Sequence, residues 1–228
     1  MKNYLLPAMF ALLPVAAQAA DLPKRSAAPA APAVMVDWSG FFIGVQAGGM
    51  HHRNAFGDIG FGAQDGNDAF DNSRQASIIG GGHIGYNRQM GAWVVGVIAD
   101  VDLGGAKVGF RGGDWAYEQE IRAQGSLRGR VGYAAGRFLP YLTAGAAIAD
   151  LSNVYLFEGS QSISETRIGW TAGAGLAYAI DSKWSALIEY RYTDFGRFTH
   201  YPTVWQADFL NTHHVTTQAV RVGVSYRF

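Results

Sequence analysis

The chain contains no cysteine, which excludes disulfide scaffolds, thiolate metal sites and cysteine nucleophiles together. Charge is scarce: Asp, Glu, Lys and Arg supply 16% of the residues, against about 25% in ordinary soluble domains. That charge sums to zero, so no basic surplus points to a nucleic-acid partner. Long hydrophobic runs are missing too. Nothing in the sequence reaches the roughly 18 consecutive apolar residues of a membrane-spanning helix. Two surpluses stand against these absences, 30 glycines and 13% aromatic residues in a chain of 228.

The N-terminus reads as an export signal. Lys2 supplies a positive start, Leu5 to Ala16 an apolar stretch, and Ala17-Gln18-Ala19 a small-x-small cleavage site, so residues 1–19 are expected to be removed after Ala19. The apolar stretch is shorter than the roughly 20 residues of a spanning helix and carries Pro7 and Pro14. Removal takes one lysine and no acid, leaving a net charge of −1. Residues 20–37 are rich in Pro and Ala without periodicity and read as an extended periplasmic leader.

From Trp38 to Phe228 the chain repeats one pattern. The last stretch, VTTQAVRVGVSYRF, places Val220, Val222, Val224, Tyr226 and Phe228 on one face. Ala219, Arg221, Gly223, Ser225 and Arg227 fall on the other, because strand side chains alternate with period two. Seven earlier stretches behave similarly. Strand one (about 38–49) turns Phe41, Ile43 and Val45 one way, and strand two (75–88) opposes Ile78, Ile84 and Tyr86 to His83 and Asn87. Strand three (92–103) sends Asp100 and Asp102 inward, opposite Trp93, Val95, Val97 and Val101. Strand four (ending at Tyr133) opposes Glu120, Arg122, Gln124, Ser126, Arg128 and Arg130 to Ile121, Ala123, Leu127, Val131 and Tyr133. Strand five (138–149) is apolar on both faces and leaves its register open. Strand six (167–179) turns Ile168, Trp170, Leu176 and Tyr178 outward. Strand seven (184–193) turns Trp184, Ile188, Tyr190 and Tyr192 outward, with Glu189 and Arg191 inward.

Short connections at 89–91, 134–137 and 181–183 alternate with long polar ones at 50–74, 104–117, 150–166 and 194–214. Short periplasmic turns and long outer loops are the asymmetry of an outer-membrane barrel. The expected fold is all-β: an eight-stranded antiparallel up-and-down transmembrane β-barrel. A soluble sandwich or lipocalin-like cup would bury the apolar face, and it gives no reason for Trp and Tyr to gather at strand ends on that face. Membrane-interface girdles do.

Several segments carry a family resemblance: DWSGFFIGVQAGG (37–49), GGGHIGYNRQMGAWVVGVIADVDL (80–103), GSLRGRVGYAAGRFLPYLTAGAA (125–147), GWTAGAGLAYAIDSKWSALIEYRYTDFG (169–196) and RVGVSYRF (221–228). Together with AADLP after the signal, they resemble the small outer-membrane β-barrel proteins of alphaproteobacteria, the outer-membrane immunogenic or porin-like proteins. The resemblance implies an outer-membrane barrel with roles in envelope integrity and surface exposure, and no enzymatic activity. It also implies that the aromatic C-terminus, Tyr226 and Phe228, is read by the barrel assembly machinery. Some members bind haemin, but no motif here carries that activity over.

Four groups of residues are candidates for chemistry. Asp100, Asp102, Glu120, Arg122, Arg128, Arg130, Arg167, Glu189, Arg191, Arg221 and Arg227 face inward by alternation. Isolated buried charge is very costly, so they form either a salt-bridged plug or the lining of an ion-selective pore. The plug is the expected arrangement, with Glu120 or Glu189 as partner of Arg128. His51, His52, His213 and His214 lie at the strand–loop borders of the first and last outer loops, and strands one and eight are neighbours in a closed barrel. They are the candidate haem or metal ligands, imidazole being suited to both. Ser162, Ser164 and Glu165 lack a nearby His, and DGNDAFD (65–71) lacks the spacing of a calcium loop. The expected protein is a non-enzymatic structural barrel without cofactor, whose partners are outer-membrane lipid, the assembly machinery and environmental or host ligands at its loops. A haem or metal receptor and a small porin are the alternatives.

Overall fold

A computed structural model describes residues 36–59, 72–112, 115–156, 160–200 and 210–228. The signal peptide, leader residues 20–35 and the acidic loop 65–71 lie outside the described residues. Eight strands follow one another: β1 (Gly40–Ile59), β2 (Asn72–Met90), β3 (Trp93–Gly112), β4 (Trp115–Tyr133), β5 (Phe138–Leu156), β6 (Ser160–Ala179), β7 (Trp184–His200) and β8 (Leu210–Arg227). Each pairs antiparallel with its sequence neighbour, and β8 pairs with β1 from Phe42↔Arg227 to Ile59↔Leu210, closing the barrel.

The alternation predicts the outward face. Phe41, Val45, Ile84, Val97, Leu127, Ile168, Ile188 and Val222 are all exposed apolar side chains, which only a lipid surround makes favourable. Four register pairs form an aromatic belt at the periplasmic end: Phe41–Tyr86, Trp93–Tyr133, Phe138–Tyr178 and Trp184–Tyr226, with ring centroids 4.8–5.6 Å apart. A second, sparser aromatic site, Trp170–Tyr192 at 5.3 Å, marks the other boundary. Strand β7 rises roughly 26 Å from Trp184 to Tyr192 at ~3.3 Å per residue, or ~20 Å along a tilted barrel axis. That is close to the height of a membrane band.

The periplasmic turns are tight for local reasons. Gly91 and Gly136 take φ of 63° and 61°, the left-handed region that favours glycine. In the third turn Asp181 Oδ1 accepts the N–H groups of Lys183 and Trp184, both at 2.7 Å, and these bonds hold its carboxyl below the usual range.

At the outer end the structure corrects the sequence reading. Much of what reads as long loops at 50–74, 104–117, 150–166 and 194–214 is strand. Backbone pairing continues past the apolar band, where polar residues on both faces hide the alternation. Strand β5 acquires a register: Leu139, Tyr141, Thr143, Ala147, Ala149 and Leu151 are buried inward.

Bulges cause a second correction. Register shifts occur at Leu103/Ala106 in β3, Ile121/Ala123 in β4 and Asp194/Arg197 in β7. One extra residue inverts the parity beyond each bulge. Ile121, expected outward, is therefore fully buried. Arg122, expected in the lumen, is exposed, and half-buried Glu120 shares its side of the strand.

Candidate functional site

The barrel interior holds its side chains in layers. At the periplasmic end Trp38, just before β1, is buried with Val94, Leu139, Tyr141, Ala177 and Ala179. Its backbone N–H donates to Gln89 Oε1 at 2.8 Å, and the Arg227 guanidinium lies 5.4 Å from its ring centroid. Arg227, expected in the lumen, instead sits at this mouth, where Nη2 donates to the Ser182 carbonyl at 2.8 Å. Beside it Asp37 accepts the Ser39 N–H at 2.9 Å, the bond that depresses its carboxyl pKa.

The middle layer is ionic. Arg128 donates to Asp100 (2.8 Å), Glu189 (2.9 Å), Thr143 (2.7 Å) and Ser126 (2.9 Å). Arg191 donates to both Asp100 oxygens, at 2.6 and 3.1 Å, and through Nε and Nη2 to Glu189 at 3.1 and 2.9 Å. Arg221 Nη2 lies 2.7 Å from Asp102 Oδ2, an ion pair outside hydrogen-bond angles. Gln46 donates to Asp102 at 2.6 Å, which leaves its Oε1 to accept from His83 Nδ1–H at 3.2 Å. His83 Nε2 then accepts from the Ser225 hydroxyl at 2.7 Å. Three carboxylates thus face three guanidiniums in a network reaching every strand but β6.

Glycine makes this density possible. A Cβ at Gly44 would collide with the His83 imidazole and one at Gly175 with the Tyr141 ring. Arg130 stands apart from the network, held between the rings of Tyr141 (4.2 Å) and Phe42 (5.3 Å) by cation–π attraction.

Above the ionic layer two apolar clusters fill the interior, beside the buried row Thr171–Thr193–Thr217–His52. Ile121, Ala147, Ala149, Leu151, Phe195 and Val215 form one cluster, and Met50, Ile79 and Ala219 another. Arg167 lies above the network, half-buried and paired with Glu165 at 2.5 Å.

Among the described residues the candidate histidines His51, His52 and His214 do not converge. His52 is buried inward and His51 is exposed. The register puts His52 opposite Thr217 and His51 opposite Gln218, whereas His213 and His214 face Phe56 and Ala55. Along β1, four residues of strand, about 13 Å, separate His52 from the position paired with His213, and His51 from the position paired with His214. The His213 side chain lies outside the described residues; His214 Nε2 is 3.1 Å from Asp194 Oδ1. Among the described residues no group of three or more His, Asp or Glu side chains is placed to hold a metal ion.

A barrel with a lipid-facing exterior and these chain segments can be compared with known proteins. The family model of the outer membrane protein beta-barrel domain matches residues 8–228. The chain belongs to the outer-membrane β-barrel family. Relatives within it include the 31 kDa outer-membrane immunogenic protein of Brucella melitensis, 32% identical over 247 aligned positions that span all of both chains. The 25 kDa outer-membrane immunogenic protein of Brucella abortus is 36% identical over 65% of this chain and 64% of its own. The 22 kDa outer membrane protein of Rhizobium leguminosarum is 34% identical over 74% of this chain and 68% of its own. The crystal structure of outer membrane protein OprG from Pseudomonas aeruginosa superposes with a TM-score of 0.54 at 14% identity, covering 86% of this chain and 99% of that one. The shared architecture with OprG is the fold alone.

The sequence singles out most of the ionic layer but not two large side chains of the apolar layer beneath it. Trp38 opens the expected strand one but precedes β1, which begins at Gly40, so no ladder partner fixes its side. Tyr141 sits on β5, where both faces are apolar.

Proposed function

We propose that this outer-membrane barrel is a structural, non-conducting protein, exported with its signal removed after Ala19. Its strands stabilise the envelope, and their outer ends present polar surface to the environment. The observation that carries this reading is the filling of the lumen at three levels: the Trp38 lid, the Asp100–Arg128–Arg191 network and the Ile121–Phe195 layer. An eight-stranded interior is just wide enough for side chains to fill it, and ions would have to displace both apolar layers to pass. The immunogenic designation of the Brucella relatives supports surface exposure of the outer ends.

A small porin would need those layers displaced, and a haem or metal receptor would need histidines that converge. No cofactor enters the proposed function. Nor does catalysis, since Ser162 and Ser164 share their segment with no His to serve as base and Glu165 is paired with Arg167. Planar-bilayer recording of the purified protein tests the proposal. The expected record shows no steady current; a large, stable single-channel conductance would overturn the closed lumen and establish the porin.

A further inference from the structure

The outward face of β8, β1 and β7 changes character along one line. Below it β8 presents Val224, Val222 and Val220 to lipid. Above it the register builds adjoining rows: Tyr192–Gln218–His51, then Asp194–Thr216–Arg53, then Arg197–His214. Register partners share a face of the sheet, and Gln218, His51, Arg53 and Arg197 are all exposed. The β7 bulge is what delivers Arg197 to this surface. Gly196 takes φ of 74°, Phe195 turns into the lumen, and the next side chain swings outward. Without the extra residue Arg197 would point inward.

The rows sit directly on the outer aromatic boundary. Tyr192 packs at a tilt against Trp170, and the Tyr190 hydroxyl donates to Gln218 at 3.1 Å. Two arginines and two histidines thus occupy about 13 Å of strand above the apolar band. Among the described side chains of these rows Asp194 is the one acid; it accepts the Gly196 N–H at 2.8 Å and lies 3.1 Å from His214 Nε2. The outward acids Glu118 and Glu120 stand on the far wall with Arg122. Among the described residues the rim is therefore cationic on one side, at the depth where headgroups begin.

We propose that the β7–β8–β1 rim binds the phosphate groups of phosphorylated lipid headgroups in the outer leaflet. Guanidinium matches phosphate with paired, charge-assisted hydrogen bonds. The neighbouring Tyr and Trp rings take the acyl boundary, where amphipathic aromatics settle. These cations stand on a convex wall, so the group that reaches them by position is the headgroup of a lipid already packed against Val220 and Ile78.

The test is lipid selectivity at the barrel surface. The mature protein is reconstituted in phosphatidylcholine vesicles carrying trace spin-labelled phosphatidic acid or spin-labelled phosphatidylcholine. The motionally restricted fraction of the electron paramagnetic resonance spectrum gives their relative association. Wild type is expected to prefer the phosphatidic acid label. The double variant R53Q/R197Q should lose about threefold or more of that preference, falling to the floor set by the periplasmic cations Arg88, Arg137 and Lys183. R53K/R197K should keep most of it, and R122Q, on the far wall, should keep all of it. Heat-modifiable electrophoretic mobility confirms that each variant is folded. Unchanged preference in R53Q/R197Q, equal loss in R122Q, or no preference in wild type would overturn the proposal.

Discussion

Asp100 accepts hydrogen bonds from Ser126, Arg128 and Arg191 with its side chain entirely buried. Its carboxylate joins β3 to β4 and, across the lumen, to β7. Replacing it with Ala would leave two buried guanidiniums short of a counter-charge. Losing one partner of a buried pair costs about 3–5 kcal/mol, because the stranded charge keeps its desolvation penalty. Asp100→Ala is therefore expected to lower the stability of the folded barrel by that amount in denaturant titrations in lipid vesicles. A loss below about 1 kcal/mol would mean that the network contributes little to holding the strands. The inward direction of Asp100, Arg128, Glu189, Arg191 and Arg221 is legible from alternation alone. Their pairing is not. Arg128 has Glu120 and Glu189 as sequence candidates, and only the stagger of strands around the barrel brings Glu189 to 2.9 Å.

Strand β4 shows where period two succeeds and where it stops. Leu127 is 64% exposed and neighbouring Arg128 is 2% exposed, as the sequence predicts. Six residues earlier Ile121 breaks the rule, because a bulge adds a residue without leaving a compositional mark. Two arginines, Arg122 and Arg197, reach the outer surface by this means while Ile121 and Phe195 close the lumen. The intact part of the strand sets a sharp expectation. An Arg on the lipid face near mid-depth costs about 2–4 kcal/mol, since hydrocarbon offers it neither water nor a counter-ion. Leu127→Arg should lose about 2 kcal/mol or more of folding free energy in phosphatidylcholine bilayers, measured by tryptophan fluorescence during urea titration. A neutral result would place Leu127 outside the apolar band and move the membrane boundary along the barrel.

The whole molecule depends on a seam between its two chain ends. The sequence shows the eight strands and their order because short turns alternate with long polar segments and each strand needs only its neighbour. The outer strand ends are hidden, since hydrogen bonding there continues without an apolar face. Tyr226 and Phe228 close the periplasmic end of the seam, with rings 5.3 Å apart and Phe228 77% exposed. So exposed a residue adds little to the packing of the finished barrel, and its role is expected in recognition during assembly. Deletion of Phe228 should reduce the amount of protein in the outer membrane of cells while refolding in detergent proceeds normally. Wild-type surface levels would refute the assembly role. The Trp38 seat draws on the same seam. Gln89 of β2, Val94 of β3, Leu139 and Tyr141 of β5, Ala177 of β6 and Arg227 of β8 all line it. Those walls stand together only after the last strand has met the first, so the indole cannot be seated before the cylinder is complete. Seating of the indole is therefore expected to follow the meeting of β8 with β1, which makes Trp38 a reporter of barrel closure.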